Sequence, residues 1–269
     1  MDFLRSLGSG HGGCQANCLI FWKEDWLKAP GSASSPASSR SGGNKLLEAA
    51  RTPPSDPRGD VIYRCQATQL LEATDPLPPG GLGQYLTDIR SGNVTLLKLL
   101  RTFAFALFHR VVRFGFGYRV LVSTYNGFQK LFGGSPYPFA QGTRSTQAVT
   151  PLAALDLQPG ELVRIRSHDE ILATLNAQNK NRGLYFDAEM VPYCGGVHRV
   201  LHRVERIIDE RSGRMLKMKA PCIMLEDVVC KSAYSPGRLL CPRAIQSYWR
   251  ESWLERVPEA DAADRLHDR

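Results

Sequence analysis

Cys241-Pro-Arg-Ala-Ile-Gln-Ser-Tyr-Trp249-Arg-Glu251-Ser-Trp253-Leu254 is a pattern that the chain carries twice. Near the N-terminus, Cys14-Gln-Ala-Asn-Cys18-Leu-Ile-Phe-Trp22-Lys-Glu24-Asp-Trp26-Leu27 has the same order of cysteine, aromatic, Trp, basic residue, Glu, Trp and Leu. All four tryptophans of the chain lie in these two copies, which makes chance a poor explanation. The period is far too long for a solenoid, so the copies read as paired elements from opposite ends of one fold. Trp residues four apart share one face of a helix, and the spacing predicts a Trp-bearing helix in each copy. The cysteine, eight residues ahead of the first Trp, then falls at the helix start, where thiolate is favoured. Large aromatic pairs ordinarily bury area, and here they would anchor the two chain ends.

The chain of 269 residues is 43% hydrophobic, enough for a sizeable core. It has seven cysteines, Cys14, Cys18, Cys65, Cys194, Cys222, Cys230 and Cys241. Met1-Asp-Phe-Leu-Arg lacks the basic-then-apolar run of an export signal. An odd number of thiols without such a signal points to metal ligands or reactive thiols in a reducing cytoplasm, not to a disulfide scaffold. No uninterrupted apolar run is long enough for a membrane span.

The net charge of +8 is concentrated. From Ile89 to Leu155 there is no Asp or Glu, while Arg90, Lys98, Arg101, Arg110, Arg113, Arg119, Lys130 and Arg144 are basic. This segment, 89–155, implies an anionic partner: a membrane surface, nucleic acid or another protein. Within it, Asn93 reads as a helix cap. Leu96, Leu100, Phe103, Leu107, Val111 and Phe114 form one apolar stripe. Such a stripe ordinarily covers a core; a peripheral position at a membrane is the alternative. Gly115 and Gly117 close the helix, and Tyr118–Thr124 reads as a strand.

The organisation expected is α+β. An N-terminal Cys/Trp helix (1–29) is followed by a disordered Ser/Gly/Pro linker (30–60) and a helical basic region (61–150). Residues 151–257 form a small antiparallel barrel ending in the second Trp helix, and 258–269 a flexible tail. In the barrel, Leu157–Arg166 reads as a turn and strand, Ser167 and Glu170 as a capping box, and Val197–Ile208 as a strand. Val200, Val204 and Ile208 lie on one side of that strand. Asp209–Gly213 is a hairpin turn, and Arg214–Lys219 and Cys222–Val229 are two further strands.

Two metal sites are expected. Cys194, Cys222, Cys230 and Cys241 come from turns and element ends and suit a tetrahedral structural zinc or an iron–sulfur cluster, although their spacing matches no compact motif. His11, Cys14, Cys18 and Cys65 make a second set of three thiolates and one imidazole. Asp187 and Glu189, near Cys194, are the only acid/base candidates, and carboxylates of this kind are ordinarily solvated. His198 and His202 share one face of a strand, where solvated histidine is the ordinary reading. There is no phosphate-binding glycine loop, dinucleotide fingerprint or nucleophile elbow.

The strand start Pro159-Gly-Glu-Leu-Val-Arg-Ile-Arg and the hairpins after it resemble SH3-like barrels. His11-Gly-Gly-Cys14, Tyr63-Arg-Cys65-Gln-Ala-Thr, Tyr193-Cys194-Gly, Pro221-Cys222-Ile and Cys241-Pro-Arg-Ala-Ile resemble uncharacterised cysteine-rich bacterial proteins of biosynthetic gene clusters. The family pattern has a cysteine where this chain has Gly10. The resemblance implies an accessory role in biosynthesis and brings no activity. The functional expectation is a metal-binding (zinc or iron–sulfur) accessory protein. A metalloenzyme using Asp187 or Glu189, and a nucleic-acid-binding module built on the barrel and basic block, are the alternatives.

Overall fold

The strand Val197–Ile208 shows why a sheet forms here. His198, Val200, Val204 and Ile208 are buried on one side, while Arg199 and Glu205 remain exposed. The computed structural model describes residues 5–23, 27, 51–52, 61–76, 81–115, 117–146, 149–151, 154–235 and 237–257. The expected linker, apart from Arg51–Thr52, and the expected tail lie outside these residues.

The described strands are β1 (Arg51–Thr52), β2 (Ile62–Tyr63), β3 (Leu162–Ile165), β4 (Lys180–Asn181), β5 (Leu184–Tyr185), β6 (Val197–Ile208), β7 (Met215–Leu225) and β8 (Leu254–Arg256). The helices are α1 (Gln66–Ala73), α2 (Gly83–Arg90), α3 (Leu96–Arg113), α4 (Tyr118–Leu131) and α5 (His168–Leu172). The fold is therefore mixed α+β. Its main sheet has the order β7-β6-β3-β8 and curls into half a barrel. β3 runs antiparallel to both neighbours, pairing Val163 with His198 and with Arg256.

Two compact units share the chain. Residues 1–77 and 204–219 form one; residues 78–203 and 220–269 form the other. The β6–β7 hairpin thus contributes its distal half to the first unit and its base to the second. Its turn falls where the sequence puts it: Asp209 N–H donates to the Arg214 carbonyl at 2.9 Å, and the Asp209 carboxylate accepts from the Ser212 hydroxyl at 2.6 Å. The two strands expected after the turn are one, because Pro221 lies on β7, an edge strand, where a missing N–H is tolerated.

The core of the second unit lies under this sheet. Trp249, Trp253, Ile165, Ile171 and Leu225 are fully enclosed. The Trp helix expected here does not form. Trp249 instead exchanges both backbone hydrogen bonds with Ile223 at 2.8 Å, Glu251–Trp253 is a single 3-10 turn, and Leu254 starts β8. A bridge, a turn and a strand bury both rings and extend the sheet, which a helix cannot do. The rings meet edge to face with centroids 6.4 Å apart, and Trp253 Nε1 donates to Thr174. Glu251 is also buried. It accepts from the Leu155 and Leu157 amides and pairs with Arg203 at 2.7 Å. Cys241, expected to open that helix, lies in a turn region.

The helical region of the second unit departs from expectation in three places. Thr95, not Asn93, caps α3, its hydroxyl accepting from Lys98 N. Residues 118–124 are helical, as the start of α4, because Leu121, Tyr125 and Gln129 recur at spacings of four along its less exposed side. Of the expected apolar stripe of α3, Phe103 packs inward, edge to face on Tyr85 at 5.1 Å, whereas Leu96, Leu100, Leu107, Val111 and Phe114 are exposed. The opposite side of the helix meets the core: Leu99 packs with Tyr85 and Leu240, and Phe105, Phe108 and His109 join Tyr125, Tyr137, Phe139 and Tyr234 in an aromatic cluster. His109 stacks on Phe139 at 3.9 Å and shares a 2.7 Å hydrogen bond with the Tyr137 hydroxyl. Burial and the neighbouring Arg113 hold its pKa down, while burial pushes Tyr137 up to about 12.

In the first unit, the described residues 5–23 form no helix. Gly8, Gly12 and Gly13 all have positive φ, and a Cβ on Gly8 would overlap the Cys14 carbonyl oxygen. Trp22 is 55% exposed and belongs to no helix or strand, and Trp26 lies outside the described residues.

The two copies therefore differ in weight. Trp253→Ala is expected to destabilise the second unit by about 3–5 kcal/mol, and Trp22→Ala by less than about 0.5 kcal/mol. Urea unfolding followed by circular dichroism reads the difference; equal losses would contradict the burial described.

Candidate metal site at the N-terminal loop

The loop 8–14 folds on itself through local hydrogen bonds. His11 and Gly13 amides donate to the Gly8 carbonyl, and Cys14 N donates to the His11 carbonyl at 3.3 Å. The glycines at positive φ permit this knuckle. The adjoining chain is tied to the distal half of β6. Gln15 N donates to the Arg206 carbonyl, the Gln15 side-chain oxygen accepts from Glu205 and Arg206 amides, and the Cys14 sulfur accepts from Ile208 N at 3.3 Å.

Cys65 reaches the same place from another direction. It is the N-cap of α1, and its amide donates to the Thr68 hydroxyl at 3.0 Å. The next residue, Gln66, grips the Phe21 backbone with two 2.8 Å hydrogen bonds, which brings the chain after Cys18 against α1. The result is a cavity of about 270 Å3 lined by His11, Cys14, Cys18 and Cys65, with Ile20 and Ile208 among its apolar walls. All four residues expected as the second metal site thus line one cavity. They come from a loop and a helix cap, not from one helical face. Among the described residues, no group of three or more His, Cys, Asp or Glu side chains already stands close enough to hold a metal ion.

The four thiols of the first expected site likewise form, among the described residues, no group of three close enough to hold an ion. Cys222 is fully buried on β7, its sulfur 3.2 Å from the Arg250 guanidinium and facing the Ala220 carbonyl. Burial pushes its thiol up to about 11 despite that arginine. Cys194 packs against the main core, and burial pushes its thiol up to about 12. Cys230 is raised by burial and feels the charges of Glu189, Asp187 and Cys241. Cys230 and Cys241 are therefore neighbours, whereas Cys194 and Cys222 are thiols that burial keeps neutral.

The acid/base candidates have structural employment. Asp187 caps the 3-10 helix Ala188–Tyr193, accepting from Glu189 N at 2.8 Å. Glu189 is buried and accepts backbone amides of Lys231, Ala233 and Tyr234; burial nevertheless pushes its pKa up. His198 is buried rather than solvated and meets Tyr193 edge to face at 5.8 Å.

No protein-family model matches the chain, and no curated protein matches it.

Arg250 is the basic residue that follows Trp249 in the C-terminal motif. It is buried and donates to carbonyls of Ala220, Pro221, Arg182 and Asn181. It lies between two buried tryptophans, so a basic residue inside such an aromatic motif signals a buried cation with carbonyl partners.

The thiols should separate by reactivity. With iodoacetamide at mildly alkaline pH, the half-buried Cys14, Cys18 and Cys65 are expected to alkylate well before Cys194 and Cys222, whose thiols stay protonated. Peptide mass spectrometry over time reads the order; early labelling of Cys222 would contradict it.

Proposed function

We propose that the chain is a metal-binding accessory protein of a bacterial biosynthetic pathway, holding its ion on His11, Cys14, Cys18 and Cys65. The observation that carries this reading is the shared cavity, in which three thiols and one imidazole line a single space. That donor set is the three-thiolate, one-imidazole combination of structural zinc. The amide directed at the Cys14 sulfur and the place of Cys65 at the cap of α1 hold two of the thiols at the cavity. Binding would draw the loops inward and so couple metal to the folding of the first unit. The pathway role rests on the family resemblance of the cysteine-bearing stretches. The curled sheet is read as part of an SH3-like barrel, with a scaffolding role.

An iron–sulfur cluster is the second reading, favoured by the cavity volume, which far exceeds the space of one ion. The metalloenzyme reading loses its support because Asp187 and Glu189 are occupied by backbone amides.

Elemental analysis of the full chain purified without oxygen tests the proposal. About one zinc per chain is expected, or brown protein absorbing near ~400 nm if a cluster is present. Cys14→Ser and Cys65→Ser are expected to lose the metal, and Cys222→Ser to keep it. Full metal content in the Cys14→Ser, Cys65→Ser double variant would overturn the assignment, as would metal-free wild-type protein after zinc loading.

A further inference from the structure

The helical hairpin of α3 and α4 carries an apolar surface that the fold leaves open. Leu96, Leu100, Leu107, Val111 and Phe114 are between 48% and 72% exposed, while Leu99, Thr102 and Val112 on the other side are 7% exposed or less. With Ala104, also exposed, the outward set recurs at spacings of four, four, three, four and three. It forms one continuous stripe about 27 Å long at the rise of an α-helix. α4 adds a second stripe, with Val120, Phe128 and Leu131 between 59% and 78% exposed and Phe132 just beyond it.

Charge narrows the choice of occupant. Arg101 and Arg110 project from α3 at about 100° and 75° on either side of the stripe centre, by helical geometry. Lys98, Arg113, Arg119 and Lys130 belong to the same hairpin, and there is no acidic residue from Ile89 to Leu155. A second copy of this chain laid on the stripe would set arginine against arginine, with no carboxylate on either side. Nucleic acid would meet leucine, valine and phenylalanine where phosphate contacts are needed. An anionic lipid surface matches both features, because acyl chains accept the apolar stripe and headgroups accept the flanking cations. No helix among the described residues is long and apolar enough to cross a membrane, so the fitting geometry is a helix lying in the interface.

We propose that the α3–α4 hairpin docks this protein on an anionic membrane surface, with the Leu96–Phe114 stripe entering the headgroup–acyl boundary and Arg101 and Arg110 engaging lipid phosphates or carboxylates.

Flotation of the full chain with vesicles of phosphatidylcholine, with and without phosphatidylserine, tests this. The protein is expected to float with the serine-containing vesicles and to remain behind with neutral ones. Added salt weakens the binding. Arg101→Gln and Arg110→Gln should each weaken it about five-fold, the equivalent of about 1 kcal/mol per basic residue at such a surface. Leu107→Glu and Val111→Glu replace exposed side chains, so the thermal midpoint should hold while flotation falls at least about ten-fold. Three results would overturn the proposal: no flotation with either vesicle, flotation unchanged in the leucine and valine variants, or a concentration-dependent dimer abolished by Leu107→Glu. Salt-sensitive retention on RNA or DNA that survives Leu107→Glu, without flotation, would assign the basic segment to nucleic acid instead.

Discussion

The backbone hydrogen bonds of the β6–β7 hairpin are the constraint on which the rest depends. At its base, β6 pairs with β3 and so positions Val163 and Ile165 over the buried tryptophans. In its distal half, Ile208 N meets the Cys14 sulfur and the Glu205 and Arg206 amides hold Gln15. β6 thus contributes Val200 to a hydrophobic core and Ile208 to a thiol-lined cavity. The first is secured by apolar area removed from water. The second is secured by polar contacts, glycine turns and a helix cap, with few buried side chains among the described residues. A loop of this kind gains most from a bound ion, since metal binding then supplies folding free energy that the core does not.

Among the described residues, the Cys/Trp repeat is a repeat of residues and not of structure. In the C-terminal copy, Trp249, Glu251 and Trp253 are all interior, and Glu251 joins Arg203 and two amides. In the N-terminal copy, Trp22 is largely in solvent. The cysteines follow the opposite rule: Cys14 lies at the cavity with His11, Cys18 and Cys65, whereas Cys241 stands near Cys230.

Local signals were legible. Val197–Ile208 matches β6 at both ends, the Asp209–Gly213 turn is where its residues require, and Ser167 with Glu170 caps α5. Each is decided by neighbours in the chain. What failed was decided by distant partners. A Trp-x-x-x-Trp spacing fits a helix, yet the Ile223 backbone offered a bridge. Residues 96–114 are apolar on two sides, and periodicity cannot say which side meets the core. The aromatic side does, because Phe105, Phe108 and His109 find Tyr125, Tyr137 and Phe139 there. Of the two ligand sets, the one drawn from His11, Cys14, Cys18 and Cys65 gathers at one cavity, since three of the four lie on one short loop and only Cys65 has to be delivered. The four-thiol set required separate elements to converge, and β7 buries Cys222 beside Arg250 instead.

Zinc K-edge X-ray absorption on the zinc-loaded chain is the most direct test of the central claim. A shared ion on His11, Cys14, Cys18 and Cys65 predicts a first shell of three sulfurs at about 2.3 Å and one nitrogen at about 2.0 Å. A shell of oxygen and nitrogen alone, or of four sulfurs, would contradict it.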